Sequence, residues 1–291
     1  MSNLSPFSQE ISPLSIGYVI NATLRLYRDN FLVYFKLIIR AFLWLIPPLT
    51  PFVLIITPLL LLFVLTPLIP LWIVFGFYCI ARFYKNCALV SRIAYRSLIN
   101  RPETLEEIAY KVSELWIFLW VNLLINVIFA IVQPFDNGIT DALKQATIDK
   151  GTFVDIAINI LLLIQTFLYF WLMARFYLCD VILAVESTTG INAINRSWQL
   201  TKGFSIKILL VILVSFLVIL TAYLIAGIPF FLILVSMYKL ELVPTLLLDN
   251  AWNPMLLTLS LVALVLIWFL SIPYWQILKA VIYYDLHSRR S

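Results

Sequence analysis

Long apolar runs alternate with shorter polar segments along the whole chain. Six of the runs are long enough to cross a lipid bilayer as helices. They cover residues 31–47, 60–81, 115–133, 153–177, 207–235 and 254–280. Residues 41–81 carry no charge, and the prolines between Pro47 and Pro58 favour a turn that divides this stretch into the first two spans. The pattern predicts an all-α membrane protein with six transmembrane helices, paired as three hairpins.

An amphipathic helix on the cytoplasmic membrane surface is predicted before each hairpin. These helices cover residues 15–30, 104–116 and 190–204. In the first helix, apolar residues recur at helical spacing, while Asn21, Arg25 and Arg28 lie on the other side. The middle copy is the least similar of the three. Each helix is expected to turn the chain into the next hairpin.

The segment 190–204 has the clearest surface-helix pattern. Ile191, Ile194 and Trp198 form an apolar stripe, and Trp198 is expected to lie at the lipid–water interface. A threonine at 188–189 is expected to cap the helix, and Gly203 is expected to adopt a left-handed conformation after it. Two interpretations stay open, a helix that orients the next span and a docking surface for lipid headgroups or a partner.

The three hairpins look like copies of one unit. The hairpins cover residues 14–99, 100–187 and 188–283, and tails of residues 1–13 and 284–291 flank them. The tetrapeptide Ala-Arg-Phe-Tyr occurs at 81–84 and again at 174–177, each time where a span ends. Because every unit enters from the same side, the pattern predicts a parallel internal repeat with its axis along the membrane normal. The alternative is that basic-aromatic tetrapeptides recur by chance at membrane exits.

Composition supports the membrane class. Hydrophobic residues make up 63% of the 291 residues and charged residues 12%, whereas an ordinary globular domain has about 25% charged residues. A soluble fold of this length cannot bury so much apolar surface. The net charge of +5 does not indicate nucleic-acid binding, because the basic residues lie in several segments between apolar runs rather than in one patch.

The distribution of basic residues predicts the orientation of the protein. Seventeen of the twenty Lys and Arg residues lie in the two terminal segments or in segments 82–111 and 175–207, all on one side of the predicted bundle. The opposite loops carry only Lys144, Lys150 and Lys239. Because cytoplasmic loops are enriched in Lys and Arg, both termini are expected in the cytoplasm.

The segment 193–203 carries a family resemblance. Its sequence, Ala-Ile-Asn-Arg-Ser-Trp-Gln-Leu-Thr-Lys-Gly, resembles the signature of a family of bacterial six-span proteins related to the membrane domain of some glycerophosphoryl diester phosphodiesterases. Residues 13–28 and Tyr283–Leu286 resemble the two ends of that family. The resemblance implies a six-span fold in a bacterial inner or internal membrane. It implies no hydrolysis, because the catalytic barrel of the phosphodiesterases is absent from the sequence, and most stand-alone members have no established activity.

Two groups of polar residues are candidates for contacts with other molecules. The first group lies on the predicted cytoplasmic face, where partners or lipid headgroups would bind, and comprises Arg82, Arg175, Asp180, Asn195, Arg196, Trp198, Lys202 and Asp285. The second group lies deep in the predicted spans and comprises Asn122, Asn126 and Gln165. A polar path and interhelical hydrogen bonding both explain the second group. Lys279 lies near a predicted interface, where snorkelling to the headgroups explains it.

The sequence contains no pattern typical of catalysis. The only histidine, His287, lies in the polar C-terminal region, and Cys79, Cys87 and Cys179 are expected to be buried thiols. No phosphate loop, metal-ligand cluster or nucleophile elbow occurs. We expect a non-catalytic scaffold, assembly or accessory subunit without a cofactor. Its expected partners are the bilayer, anionic lipid headgroups and another membrane protein or complex. The alternative is a transporter or channel for a small or lipid-like substrate, favoured by the Pro- and Gly-broken spans.

Overall fold

The computed structural model describes residues 15–47, 69–101, 115–132, 151–186, 188–237 and 253–290. Within these residues the chain forms nine α-helices and no strand. The helices are α1 (Ile16–Asp29), α2 (Phe31–Leu43), α3 (Ile69–Leu98), α4 (Leu115–Val132), α5 (Gly151–Phe176), α6 (Cys179–Glu186), α7 (Gly190–Thr201), α8 (Ser205–Met237) and α9 (Asn253–Ser288). The predicted all-α class is confirmed for this part of the chain.

Four of these helical segments have the length and hydropathy of membrane spans. They cover residues 70–98, 159–186, 205–225 and 262–288, and they overlap predicted spans 2, 4, 5 and 6 with shifted bounds. By this criterion the chain is a membrane protein. The predicted spans 1 and 3 correspond to α2 and α4, which are shorter, and the six-span arrangement stays a prediction.

Among the described residues, the helices pack most tightly at one end. We call this the packed end, and it is built mainly from residues 87–98 of α3, 179–184 of α6 and 277–286 of α9. The inner faces of α1, α2 and α7 and the start of α8 close the core around them. Helices α3 and α9 make the most extensive contact in this arrangement. The packed end therefore has a continuous hydrophobic core like that of a soluble domain.

The other half of the bundle exposes apolar side chains. We call it the open half, and its exposed residues fall within 71–77 of α3, 160–170 of α5, 210–228 of α8 and 259–268 of α9. Leu163 is 71% exposed and Ile225 is 70% exposed. In water such a surface would be unfavourable, but lipid tails are as apolar as leucine. The open half thus has the surface expected of helices that contact lipid.

Helix α3 joins the two halves without interruption. Its 30 residues rise about 45 Å, which exceeds the roughly 30 Å thickness of the hydrocarbon layer. The helical pattern of residues 82–97 predicts that span 2 continues beyond its apolar run, and this continuous helix is confirmed. The helix ends at Leu98, and Asn100 adopts a φ of 52°, in the left-handed region that asparagine tolerates better than most residues. Asn-Arg-Pro at residues 100–102 predicts a helix break, and this turn lies at the start of that segment.

Two short joints connect a surface helix to the following apolar helix. Asn30 separates α1 from α2, and residues 202–204 separate α7 from α8. Gly203 has a φ of +84°, as predicted, and this value suits a residue without a Cβ. Thr189 is the N-terminal cap residue of α7, but its side chain makes no capping hydrogen bond, so that detail of the prediction is wrong. The middle surface helix, residues 104–114, and the predicted tail 1–13 lie outside the described residues, and the repeat stays a prediction.

Helix α7 presents small and polar residues to the protein. Ala193, Ser197 and Leu200 are buried against the packed end, whereas Ile191 is 72% exposed and Trp198 is 36% exposed. Within the apolar stripe, Ile191 and Trp198 are thus exposed, whereas Ile194 is partly buried and packs against the core. Small residues allow helices to approach closely in membranes, and polar side chains can bond between helices there. The face of α7 that is buried against the packed end is therefore formed mainly by small and polar residues.

Candidate ligand cavity and the charged contacts around it

A large cavity lies between α4, α5 and α8. Its volume is about 1240 Å³, and apolar side chains form most of its wall. Ile125 and Phe129 belong to α4, residues 162–173 to α5 and residues 206–216 to α8. We call it the α5–α8 cavity. It belongs to the open half, and its inner end reaches the packed end.

An ion pair closes the inner end of the α5–α8 cavity. Lys279 Nζ lies 2.6 Å from Asp180 Oδ2, and both residues line the cavity. The Val181 amide donates to Asp180 Oδ1 at 3.0 Å, and the Lys279 ammonium lies 5.4 Å from the centre of the Tyr177 ring. Each side chain of the pair is only 19% exposed. The Lys279 ammonium is thus bound by a carboxylate 99 positions earlier in the chain, an ion pair that the sequence did not predict.

The predicted intramembrane polar residues divide between α4 and α5. Asn122 Nδ2 donates to the Phe118 carbonyl and Asn126 Nδ2 to the Asn122 carbonyl, each at 2.8 Å and one turn back in α4. Asn122 lines the α5–α8 cavity. Gln165 is partly buried on α5. Two of the three candidates thus satisfy their amide donors within their own helix, and one of these also faces the cavity.

Arg175 holds α5 against α7. It is 9% exposed, and its Nη1 donates to the Trp198 carbonyl at 3.1 Å. Its guanidinium lies 5.1 Å from the Trp171 ring and 4.9 Å from the Trp198 ring, close enough for cation–π attraction. Ser197 Oγ donates back to the Arg175 carbonyl at 2.7 Å. Arg175 and Trp198, both predicted as contact residues, therefore contact each other.

Arg82 has a similar aromatic setting on α3. Its guanidinium lies 5.3 Å from the ring centres of both Trp44 and Tyr78. Tyr78 precedes Arg82 by four residues, as Trp171 precedes Arg175. In both copies of Ala-Arg-Phe-Tyr, the arginine therefore stacks on an aromatic ring one helical turn earlier. The two copies thus share an arginine–aromatic contact whose aromatic residue lies outside the tetrapeptide.

Glu186 connects α6 to α7 and α9. Its Oε1 accepts a hydrogen bond from the Tyr283 hydroxyl at 2.7 Å and lies 3.4 Å from Arg196 Nε. His287 stacks on Tyr283 with 5.3 Å between ring centres. The predicted contact residue Arg196 thus has an intramolecular partner, and Glu186 and Tyr283 complete a contact that sequence reasoning did not identify.

The end of α9 binds the end of α7. Arg290 donates to the Gln199 carbonyl and, at 2.6 Å, to the Lys202 carbonyl. A guanidinium is well suited to the unpaired carbonyl groups at a helix C-terminus. The Lys202 side chain itself is exposed, as is that of Asn195. These two residues remain available for outside contacts on the surface of α7.

Asp285 lies among residues of α9 and α1. It is 8% exposed and pairs with Arg289, whose Nε lies 3.2 Å from its Oδ1. The pKa of Tyr18 on α1 is raised, mainly by burial and also by the nearby Tyr284 and Asp285. Arg289 opposes this shift. Asp285, Arg82 and Arg175 thus contact different partners.

The described residues contain no group of three or more His, Cys, Asp and Glu side chains that could hold a metal ion. Cys79, Cys87 and Cys179 are free and buried, as predicted. Comparisons with protein-family models, curated proteins and solved structures found no match to the chain. The resemblance carried by residues 193–203 therefore stays an expectation.

Proposed function

We propose that this chain is a six-span membrane protein of a bacterial inner or internal membrane, with both termini in the cytoplasm. We further propose that it acts without catalysis, as a scaffold or accessory subunit that binds another membrane protein or anionic headgroups. The sequence resemblance to the bacterial six-span family supports the topology. The basic surface of the packed end supports the binding role.

The outer face of α1 is the observation that carries this proposal. Arg25 and Arg28 expose 67% and 80% of their side chains, and with Asn21, Leu24 and Tyr27 they line a shallow depression of about 560 Å³. Their nearest carboxylate, Asp29, is itself 47% exposed, so these pairs hold the arginines only weakly. The arginines are therefore free to exchange Asp29 for an acidic group of a partner.

Site-specific photo-crosslinking in native membranes tests the binding role. A photoreactive residue at Leu24 on α1 should give a defined protein or lipid adduct, whereas the same residue at Leu224 on α8 should give only general lipid adducts. Arg25→Glu with Arg28→Glu should abolish the Leu24 adduct, and Arg25→Lys with Arg28→Lys should keep it. Loss with both double variants, or no defined adduct at Leu24, would contradict the proposal.

The topology has its own test. Cysteines placed at Asn100 and Lys202 should react with a membrane-impermeant maleimide in inside-out vesicles and should stay unreactive in intact cells. The three native cysteines are buried and provide a low background. Reaction of the two positions from opposite sides would overturn the hairpin arrangement.

A second candidate function is transport of a small or lipid-like substrate. The α5–α8 cavity favours it, because a carrier or channel needs an internal space and the described residues provide one. Reconstituted protein should then move a lipid between the leaflets of a liposome faster than a protein-free control. Equal rates would leave the scaffold proposal as the better account.

A further inference from the structure

The length of the α5–α8 cavity matches one leaflet of a bilayer. Its wall extends from Leu162 to Phe176 on α5 and from Ile206 to Phe216 on α8. At about 1.5 Å per helical residue, these walls are about 20 Å and about 15 Å long. Half of a roughly 30 Å hydrocarbon layer is about 15 Å. A lipid that lies along the helices would therefore fill the cavity from headgroup to chain end.

The cavity is open on the side where lipid surrounds the bundle. Leu163, Phe167 and Leu213 line it and are 71%, 60% and 53% exposed. These residues belong to two of the four candidate membrane spans. Acyl chains of the bilayer thus have direct lateral access, and the volume of about 1240 Å³ exceeds the roughly 300–1,000 Å³ of a typical small-molecule pocket.

The closed end of the cavity offers one charge of each sign. The Lys279 ammonium has three N–H donors, and Asp180 accepts one of them at 2.6 Å. The carboxylate of Asp180 has acceptor sites beyond those used by Lys279 and by the Val181 amide. Tyr177 lies beside the pair, is 8% exposed, and its hydroxyl has no hydrogen-bond partner among the described residues. A buried hydroxyl without a partner is unfavourable, and a ligand in the cavity would provide one for Tyr177.

We propose that the α5–α8 cavity binds one phosphatidylethanolamine molecule from the bilayer. Its acyl chains lie against the apolar walls, its phosphate accepts from Lys279, and its primary ammonium donates to Asp180. The carboxylate of Asp180 complements the ammonium of this headgroup, and the ammonium of Lys279 complements its phosphate. An anionic headgroup would supply no cation for Asp180, and the quaternary ammonium of choline has no N–H to donate.

This inference goes beyond the scaffold role and does not depend on it. A lipid held in the cavity fills space between α5 and α8 whether or not a partner binds at α1. An apolar helix of another protein would also fit the walls, but it would leave the remaining N–H donors of Lys279 and acceptor sites of Asp180 unused. The lipid is therefore the occupant that satisfies both the walls and the polar end.

Native mass spectrometry of delipidated protein tests the proposal. The probes are phosphatidylethanolamine, phosphatidylcholine and phosphatidylglycerol with identical acyl chains, each added to the full chain in mixed micelles. We expect one tightly bound phosphatidylethanolamine, with roughly tenfold weaker binding of the other two, because each loses a charged hydrogen bond. Equal binding of the three lipids would overturn the headgroup assignment.

Two sets of variants locate the site. Leu213→Trp places a large ring at the cavity wall and should weaken binding of all three lipids, whereas Leu217→Trp, one turn later on α8 and 50% exposed, should not. Asp180→Asn with Lys279→Met removes both charges together and should abolish the preference for ethanolamine. Unchanged binding in Leu213→Trp, or an intact preference in the double variant, would overturn the proposal. So would a crosslink from position 213 to a protein in native membranes.

Discussion

Isoleucine side chains are buried in the packed end of this bundle and exposed in the open half. Ile182 in the packed end is fully buried, while Ile164 in the open half is 60% exposed. The packed end is stabilised by contacts within the protein, as in a soluble domain. The open half relies on the bilayer to surround its apolar side chains. Because its helices need not fill the space between them, the open half can contain a cavity.

Polar groups show the same contrast. At the packed end several of them join different helices: Ser91 donates to Gln276 Oε1 of α9 at 2.8 Å, and Arg92 donates to the Ala184 carbonyl of α6 at 2.7 Å. In the open half, Thr166 and Thr221 donate to carbonyls three or four residues back in their own helices. Polar contacts therefore fix the positions of helices at the packed end. The hydroxyls of Thr166 and Thr221 in the open half instead bond within their own helices.

The largest expected effect comes from removing a buried side chain at the packed end. Ile182→Ala should lower the free energy of unfolding by about 2–5 kcal/mol, because it leaves a cavity in a close-packed core. Ile164→Ala should change it by no more than about 0.5 kcal/mol, since that side chain faces lipid. Reversible unfolding of the detergent-solubilised protein by SDS measures both. Equal losses would show that the two ends are not packed differently.

The ion pair at the inner end of the α5–α8 cavity gives the next effect. Lys279→Met should destabilise by about 2 kcal/mol, less than the 3–5 kcal/mol of a fully buried pair because each side chain is 19% exposed. Adding Asp180→Asn should recover most of this loss, since no unpaired charge remains. The same unfolding assay applies. A double variant less stable than Lys279→Met would contradict the pairing.

Replacing two glycines by alanine also compares the packed end with the open half. A Cβ at Gly190 would lie 2.8 Å from Val121 Cγ2, so Gly190→Ala should cost about 1–2 kcal/mol. Combined with Val121→Ala, the loss should be smaller than the sum of the single effects. At Gly227 in the open half, a Cβ meets nothing within 4 Å, and Gly227→Ala should be neutral or stabilise by up to about 1 kcal/mol. Thermal unfolding distinguishes these outcomes, and a costly Gly227→Ala would count against an open half.

The smallest expected effect concerns the end of α9. Arg290→Gln should cost about 0.5–1 kcal/mol, because the carbonyl groups at the end of α7 lose a charged donor. Arg28→Gln on α1 should have no measurable effect, since that side chain is 80% exposed. Proteolysis of the C-terminal region in detergent should also become faster in Arg290→Gln alone. Identical protection in both variants would argue against this contact.

Local features of the fold could be predicted from the sequence. The four long apolar helices, the extension of α3 to Leu98 and the left-handed Gly203 all follow from patterns within a few turns of one helix. Such features depend on hydropathy and on backbone preferences that neighbouring residues set. The six-span arrangement and the internal repeat need the segments outside the described residues, and they stay predictions.

Contacts between distant segments could not be predicted from the sequence. Asp180 and Lys279 are 99 positions apart, and nothing in the residues between them indicates that they meet. The buried face of α7 was also missed, because Ala193 and Ser197 have no strong apolar signal. In a membrane, lipid accepts the apolar face of a helix, and small residues face the protein. Hydropathy alone therefore does not indicate which face of a surface helix is buried.

Lipid-phase labelling of the unmodified protein tests the contrast between the ends most directly. A photoactivated carbene dissolved in the bilayer of native membranes inserts into side chains that contact acyl chains, and peptide mass spectrometry locates the label. We expect strong labelling of residues 160–170 of α5 and 262–268 of α9, and little labelling of residues 277–286 of α9. Equal labelling along α9, or labelling concentrated at its end, would contradict a packed end and a lipid-facing open half.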